Sequence, residues 1–291
     1  FAFPNPEPPI GIRWLPLDAL GSVVPAAAPL YFDAFELCNA LKPFLVRKLF
    51  LEGAGQVIYL DSDILATGSF GPIWARLASH SLILTPHMTR PPGPHIRDDE
   101  ELGVADLGVY NGGFSAWRDT VPSRAMLDWL CDKLPRLGFC NPSRRMFVDQ
   151  KLLVLLPVYF PDEVGIDHDP ALNIAYWNAH ERDVRKKDGH WWVGESPVVF
   201  FHLSGFRIER PDLPCAYQTA ETNARWLQGS PWFARLLAEY AALVRPYLPS
   251  GATGYGFSSH RGVRLSPRLR RLLYPSGDFN GASLAFLNAW F

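Results

Sequence analysis

Val57-Ile58-Tyr59-Leu60-Asp61-Ser62-Asp63 is the stretch on which the reading of this chain turns. Four β-prone residues run without a polar break, which predicts a strand buried on both faces of a mostly parallel α/β sheet. Two carboxylates follow with one residue between them. Strand C-termini in open α/β sheets face the ligand crevice. Two hard oxygen donors there suit Mg²⁺ or Mn²⁺, and such an ion neutralises a diphosphate. The plainer reading is that Asp61 caps a turn and Asp63 is solvated.

Working outward, Phe35, Cys38, Leu41, Leu45 and Leu49 fall at helical spacing, with Asp33 as N-cap. Pro43 inside that run predicts a kink or a late start. Ile10 to Pro16 reads as a short strand, Pro72 to Leu77 as a helix and Ser81 to Thr85 as a strand. Pro122 to Leu137 and Phe147 to Leu156 read as helices, and Pro231 to Tyr247 as a final helix. Strands alternate with helices up to His202, which argues for an α/β fold over residues 1–248. The Gly-, Arg- and Pro-rich stretch 249–291 reads as a C-terminal helical or irregular appendage.

A second buried strand, Val198 to Phe201, ends in His202 and is followed by Leu203-Ser204-Gly205. An imidazole suits Mn²⁺ as a third ligand, and Gly205 lets backbone N–H groups approach a phosphate. Tyr110-Asn111-Gly112-Gly113-Phe114 puts an amide beside a flexible turn; Asp149-Gln150 puts a carboxylate and an amide at a helix start. Both suit sugar hydroxyls. A hairpin turn and a helix-dipole Asp explain them equally well. Pro86 to Glu101 is rich in proline and charge. It reads as a long exposed loop, which either borders the acceptor side of the cleft, with His87, His95 or Arg97 available for polar contacts, or is a solvated surface excursion.

Leu60-Asp61-Ser62-Asp63-Ile64-Leu65 also fits a haloacid-dehalogenase-type phosphatase, with the first Asp as nucleophile and the second as acid/base. That chemistry needs a later Lys and a distal acidic pair at a strand end. Asp98-Asp99 is the obvious pair, and no apolar strand precedes it.

Bulk properties bound the alternatives. A net charge of −1 provides no field for nucleic acid. The longest apolar run, Leu152 to Phe160, is broken by Pro157 and is too short to span a bilayer. The four cysteines form no Cys-x-x-Cys pair, so no zinc signature arises, and a reduced, cytoplasmic compartment is the expectation. The chain opens at Phe1 without an initiator Met, and its natural N-terminus is expected to be missing.

Taken together, the landmarks resemble retaining glycosyltransferases of family 8, the glycogenin and lipopolysaccharide-galactosyltransferase type, which have a GT-A fold. The resemblance rests on Lys42, Tyr59 to Asp63, Asn111 to Phe114, Asp149-Gln150 and His202 to Gly205 in that order. Leu172 to Asn178 adds an Asn/Trp-containing stretch. It implies that Asp61, Asp63 and His202 bind Mn²⁺ or Mg²⁺. Lys42, Ser62, Asn111, Gly112, Gly205 and Arg207 would bind a nucleotide-sugar donor, with Asp149 and Gln150 as the catalytic pair. Ile208 stands where the family carries Lys, and Arg207 is the nearby cation. The implied reaction is retaining hexosyl transfer to a glycan, lipid-linked or small-molecule acceptor, by front-face attack. The family's first strand-helix unit, which grips the base, is not found before Ile10. A catalytically inactive sugar-nucleotide-binding module is the non-enzyme alternative.

Overall fold

The computed structural model describes residues 11–17, 19–20, 28–248, 257–258 and 264–266. After a short helix α1 (Ala28–Tyr31), α2 (Ala34–Leu51) starts at an Asp33 capping box. Asp33 Oδ1 accepts from the Glu36 amide at 2.8 Å, and Glu36 Oε2 accepts from the Asp33 amide at 3.0 Å. These bonds satisfy donors that a helix start otherwise leaves open. The helix runs on through Pro43, without the late start expected there. Packing overrides the local penalty: Leu37, Ala40, Phe44, Val46 and Phe50 are buried in one core with Met126, Leu127, Leu130 and Leu134. Each large apolar side chain so buried contributes about 1.5–3 kcal/mol.

The elements that follow are β1 (Gln56–Leu60), β2 (Ile64–Ala66), α3 (Gly71–Arg76), β3 (Leu82–Leu84), α4 (Asp98–Leu107), β4 (Phe114–Arg118) and α5 (Val121–Leu137). Next come β5 (Cys140–Asn141), β6 (Met146–Phe147), α6 (Gln150–Leu153), α7 (Leu156–Tyr159) and β7 (Val164–Ile166). The three-stranded meander β8 (Val184–Lys187), β9 (His190–Val193) and β10 (Ser196–Pro197) precedes β11 (Phe200–His202), α8 (Ala220–Trp226) and α9 (Trp232–Val244).

The central sheet has the order β1-β4-β3-β7 and is mixed, not mostly parallel. β4 lies antiparallel to both β1 and β3; β3 and β7 alone are parallel. An apolar run reports burial and not direction, so the sequence pattern is the same for either polarity. β1 is half-exposed, where burial on both faces was expected, because among the described residues β4 alone pairs with it. Helices flank the sheet. Its second core joins Phe114, Phe200, Phe201, Leu236 and Leu237, and the Phe114 and Phe200 rings stack at 5.2 Å.

β11 pairs antiparallel with β2, putting His202 opposite Ile64 and Phe201 opposite Leu65. Chain positions 139 residues apart, 63 and 202, thereby become neighbours.

Three further expectations change. Residues 11–16 form no strand. The Phe147 to Leu156 helix is two short pieces, because Pro157 cannot donate to the preceding turn and restarts the helix at α7. The Pro86 to Glu101 segment is not simply an exposed loop. Pro86 bridges to Tyr110, Ile96 and His87 are buried, and residues from Asp98 onward are helical. Its charges cluster in the first turn of α4, where four acidic residues meet the positive helix end. Of the stretch 249–291 the structure describes residues 257–258 and 264–266, where Phe257 pairs with Leu265 and Ser258 with Arg264 in an antiparallel ladder.

Candidate metal centre

Asp61-Ser62-Asp63 forms the turn between β1 and β2, closed by the Ile64 amide donating to the Asp61 carbonyl at 3.2 Å. The Asp61 amide is tied to Gly113 O at 2.9 Å, and the Leu203 amide to Asp63 O at 2.9 Å. Backbone bonds therefore join the acidic turn to the Asn111-Gly112-Gly113 turn on one side and to the end of β11 on the other. One ligand atom each from Asp61, Asp63 and His202 lie within 4.8 Å of one another. His202 Nε2 is 3.2 Å from Asp63 Oδ1. Burial works against charge on Asp63, but the His202 ring beside it prevails and holds its pKa below the usual carboxylate range.

Lys42 reaches this centre from α2. Its Nζ donates to Gly112 O at 2.8 Å and lies 3.2 Å from Asp61 Oδ1 and 3.5 Å from Asp149 Oδ2. Burial disfavours its charge, yet the two carboxylates outweigh that cost and raise its pKa. Asp149 is likewise buried. Desolvation pushes its pKa up to about 6 against the opposing pull of Lys42. Asp149 stands at the N-cap of the four-residue helix α6 but makes no side-chain cap bond there. Among the described residues no hydrogen-bond partner reaches Asp149 Oδ1.

The backbone that delivers Asp149 is unusual. Val148, a β-branched residue, has φ 43° and is 2% exposed. Left-handed backbone at such a residue is a genuine outlier. Gly113 meets a different demand: a Cβ there would collide with the His202 ring, so only glycine permits this approach.

The remaining sequence-selected residues divide into groups. Gln150 is engaged at both ends, accepting from the Gly112 amide at 3.2 Å and donating to Leu107 O at 3.1 Å. Asn111 is also engaged at both ends: Oδ1 accepts from the Gly113 amide at 2.9 Å, and Nδ2 lies 3.2 Å from His87 Nε2. Ser62 is exposed at the apex of the turn. Gly205, with φ 76°, turns the chain three residues past His202 and abuts Cys215 and Tyr217. Arg207 is exposed, and its charge is felt at Tyr217. His95 meets the His180 ring edge-on at 6.0 Å, and Arg97 pairs with Asp99 at 2.9 Å.

Four residues that the sequence reading named only within longer stretches, or for another role, contact the centre directly or through a neighbour. Tyr59 donates to Asp61 Oδ1 at 2.6 Å. Asn173 Oδ1 is 3.3 Å from His202 Nδ1, from a residue with φ 52°. Trp177 sets its ring edge-on to His202 at 5.2 Å and to His87 at 5.1 Å. His87, expected at an acceptor site, is instead buried against Asn111. The alternation of Tyr59 with Asp61 on one strand face was the available signal for the first.

Two curated relatives are similar to this chain. The uncharacterized protein YfnF of Bacillus subtilis (strain 168) is 26% identical over 181 residues, covering 60% of this chain and 58% of that protein. The uncharacterized protein YfnD of the same organism is 28% identical over 198 residues, covering 65% of this chain and 60% of that protein. The chain thus spans about three fifths of the length of these relatives. No protein-family model matches it, and no solved structure matches it. Among the described residues no helix is long and apolar enough to cross a membrane.

Proposed function

We propose that the chain is a metal-dependent glycosyltransferase domain of GT-A type. It would take a nucleotide-diphosphate sugar, with a UDP-sugar as the expected donor, and transfer the hexose to an acceptor hydroxyl with retention. The observation that carries this reading is the meeting of Asp61, Asp63 and His202 beside the buried cation of Lys42. Two carboxylates and an imidazole fit Mn²⁺ by donor type. Bound there, the ion would supply positive charge against the diphosphate of the donor.

The chain's own residues supply the rest. Lys42 stays protonated between Asp61 and Asp149 and presents a fixed positive charge to the leaving diphosphate. Asp149 Oδ1, with no partner among the described residues, is available to accept a hydrogen bond from a sugar hydroxyl. Gln150 and Asn111 have amides already spent on the main chain and on histidines, so they shape the site instead of touching the sugar. The leaving phosphate takes the acceptor's proton in front-face attack, which needs no strong protein base.

The test is a thermal-shift screen of nucleotide sugars with and without Mn²⁺, followed by UDP-sugar hydrolysis. A ligand that binds only the folded state raises its apparent stability. The expected outcome is a Mn²⁺-dependent shift with at least one UDP-sugar. Absence of any shift, with phosphate released from a generic aryl phosphate, would overturn the proposal in favour of phosphatase chemistry.

A further inference from the structure

The loop that leaves β11 keeps one large aromatic ring in solvent. Tyr217 is 66% exposed. Its ring nonetheless lies against Gly205, three residues past His202: a Cβ on Gly205 would come 2.7 Å and 2.9 Å from two of the ring carbons. The Leu203 amide is tied to Asp63 O at 2.9 Å, so the contact with Gly205 puts the tyrosine on the rim of the metal centre.

The backbone under this exposed ring is pinned. The Ala216 amide donates to Gly205 O at 2.9 Å. Cys215 is fully buried, and its thiol accepts from the Tyr217 and Gln218 amides. Asn223, buried in α8, accepts from the Cys215 amide at 3.0 Å and donates to the Cys215 carbonyl at 2.9 Å. A tyrosine on fixed backbone has two side-chain torsions left to settle, so it meets a ligand at small entropic cost.

The charges around the ring select the ligand. Burial raises the Tyr217 pKa, the Asp63 carboxylate reinforces that shift and Arg207 opposes it, so the phenol stands within electrostatic reach of both. Arg207 is exposed. Its loop neighbour Arg210 is paired with Asp212 at 3.0 Å, whereas Arg207 has no ion pair among the described residues. An uncharged glycan has no use for a free guanidinium beside an acidic turn. A ligand with an anionic end and a planar end uses every feature: the ion and Arg207 meet the negative charge, and the tyrosine face meets the plane. A nucleoside diphosphate has that make-up, and each base presents a π-face for stacking.

We infer that Tyr217 is the platform on which the base of a bound nucleoside diphosphate stacks, with Arg207 beside it against phosphate. The base is then held by the loop after β11. That differs from the family resemblance, which places the base-gripping unit before Ile10. The inference rests on the nucleotide-sugar reading of the proposed function and adds to it the residue that recognises the nucleoside end.

The experiment uses the full chain, Mn²⁺ and two probes: UDP, and methyl diphosphate, which keeps the diphosphate ester and has no base. Calorimetry gives the affinity of each. Wild type is expected to bind UDP more tightly than methyl diphosphate. Tyr217→Ala is expected to weaken UDP about tenfold, the order that one base–aromatic stack contributes, and to leave methyl diphosphate unchanged. Tyr217→Phe and Tyr217→Trp keep a ring and are expected to retain the preference for UDP. In tyrosine-labelled protein the uracil ring protons are expected to show a nuclear Overhauser contact to one tyrosine ring that is lost in Tyr217→Phe. That contact decides should Tyr217→Ala not fold. Equal affinity of wild type for the two probes would overturn the inference. So would a preference for UDP that survives Tyr217→Ala, or equal weakening of both probes. If neither probe binds in Mn²⁺, the nucleotide-sugar reading itself falls, and this inference with it.

Discussion

The Tyr59 hydroxyl donates a 2.6 Å hydrogen bond to Asp61 Oδ1, two residues along the same chain face, so the first carboxylate of the acidic turn is aimed by its own strand. Burial, reinforced by the Asp61 charge, raises the phenol pKa well above the ordinary tyrosine value, so it remains a donor at any physiological pH. Tyr59→Phe removes one hydrogen bond and nothing else of size. It is expected to cost about 1 kcal/mol of stability and to weaken Mn²⁺ binding about tenfold. Calorimetric titration checks this; an unchanged affinity would show that Asp61 needs no aiming.

Asp63→Ala is expected to abolish Mn²⁺-dependent turnover of a UDP-sugar while leaving the far-ultraviolet dichroism unchanged. Its side chain is partly exposed, and its main-chain bond to Leu203 does not depend on the carboxylate. Full activity in this variant would remove Asp63 from the ligand set.

Lys42 and Asp149 form a buried pair at 3.5 Å. Taking away one partner strands a buried charge, which costs about 3 kcal/mol or more. Lys42→Met should therefore lower urea stability by that order. Adding Asp149→Asn should recover much of the loss. Strictly additive effects in the double-mutant cycle would mean that the two groups do not interact.

Asp149 also sets a pH dependence. Its folded-state pKa, near 6, lies above the ordinary value of 3.8. The folded protein therefore holds this proton more tightly than the unfolded chain. The associated stability is present in full below the unfolded pKa and is lost as pH rises through about 6. Asp149→Asn removes that loss. Its melting temperature, measured relative to wild type, is expected to rise between pH 5 and pH 8. A difference that stays flat or falls across this range would contradict the raised pKa.

Much of the centre was legible because it sits where apolar runs stop. The ends of Val57–Leu60 and Val198–Phe201 marked Asp61, Asp63 and His202, and burial periodicity gave α2, α5 and α9. Strand direction was not legible, since β4 looks the same in either polarity. The packing of residues 86–97 was masked by their prolines and charges. Hydrophobicity takes no account of His87 meeting Asn111, or of the Asn178 amide donating to the His87 carbonyl at 2.8 Å. The direction in which an amide faces is a tertiary fact. That is why Asn111 and Gln150 read as sugar contacts in the sequence, yet spend their hydrogen bonds on the protein.

The pairing of β2 with β11 has a temporal consequence. Asp61 and Asp63 are synthesised 141 and 139 residues before His202, which at ribosomal speeds of about 5–20 residues per second is roughly 7–28 s. Throughout that interval the nascent chain carries two carboxylates without their imidazole and without the ladder that holds them in register. On the proposed ligand set a divalent ion would lend little to early folding intermediates, because His202 arrives only with one of the last strands to emerge. Nascent chains arrested before position 200 are expected to retain no more Mn²⁺ than chains carrying Asp63→Ala, whereas chains released after β11 has emerged acquire the site in a single step.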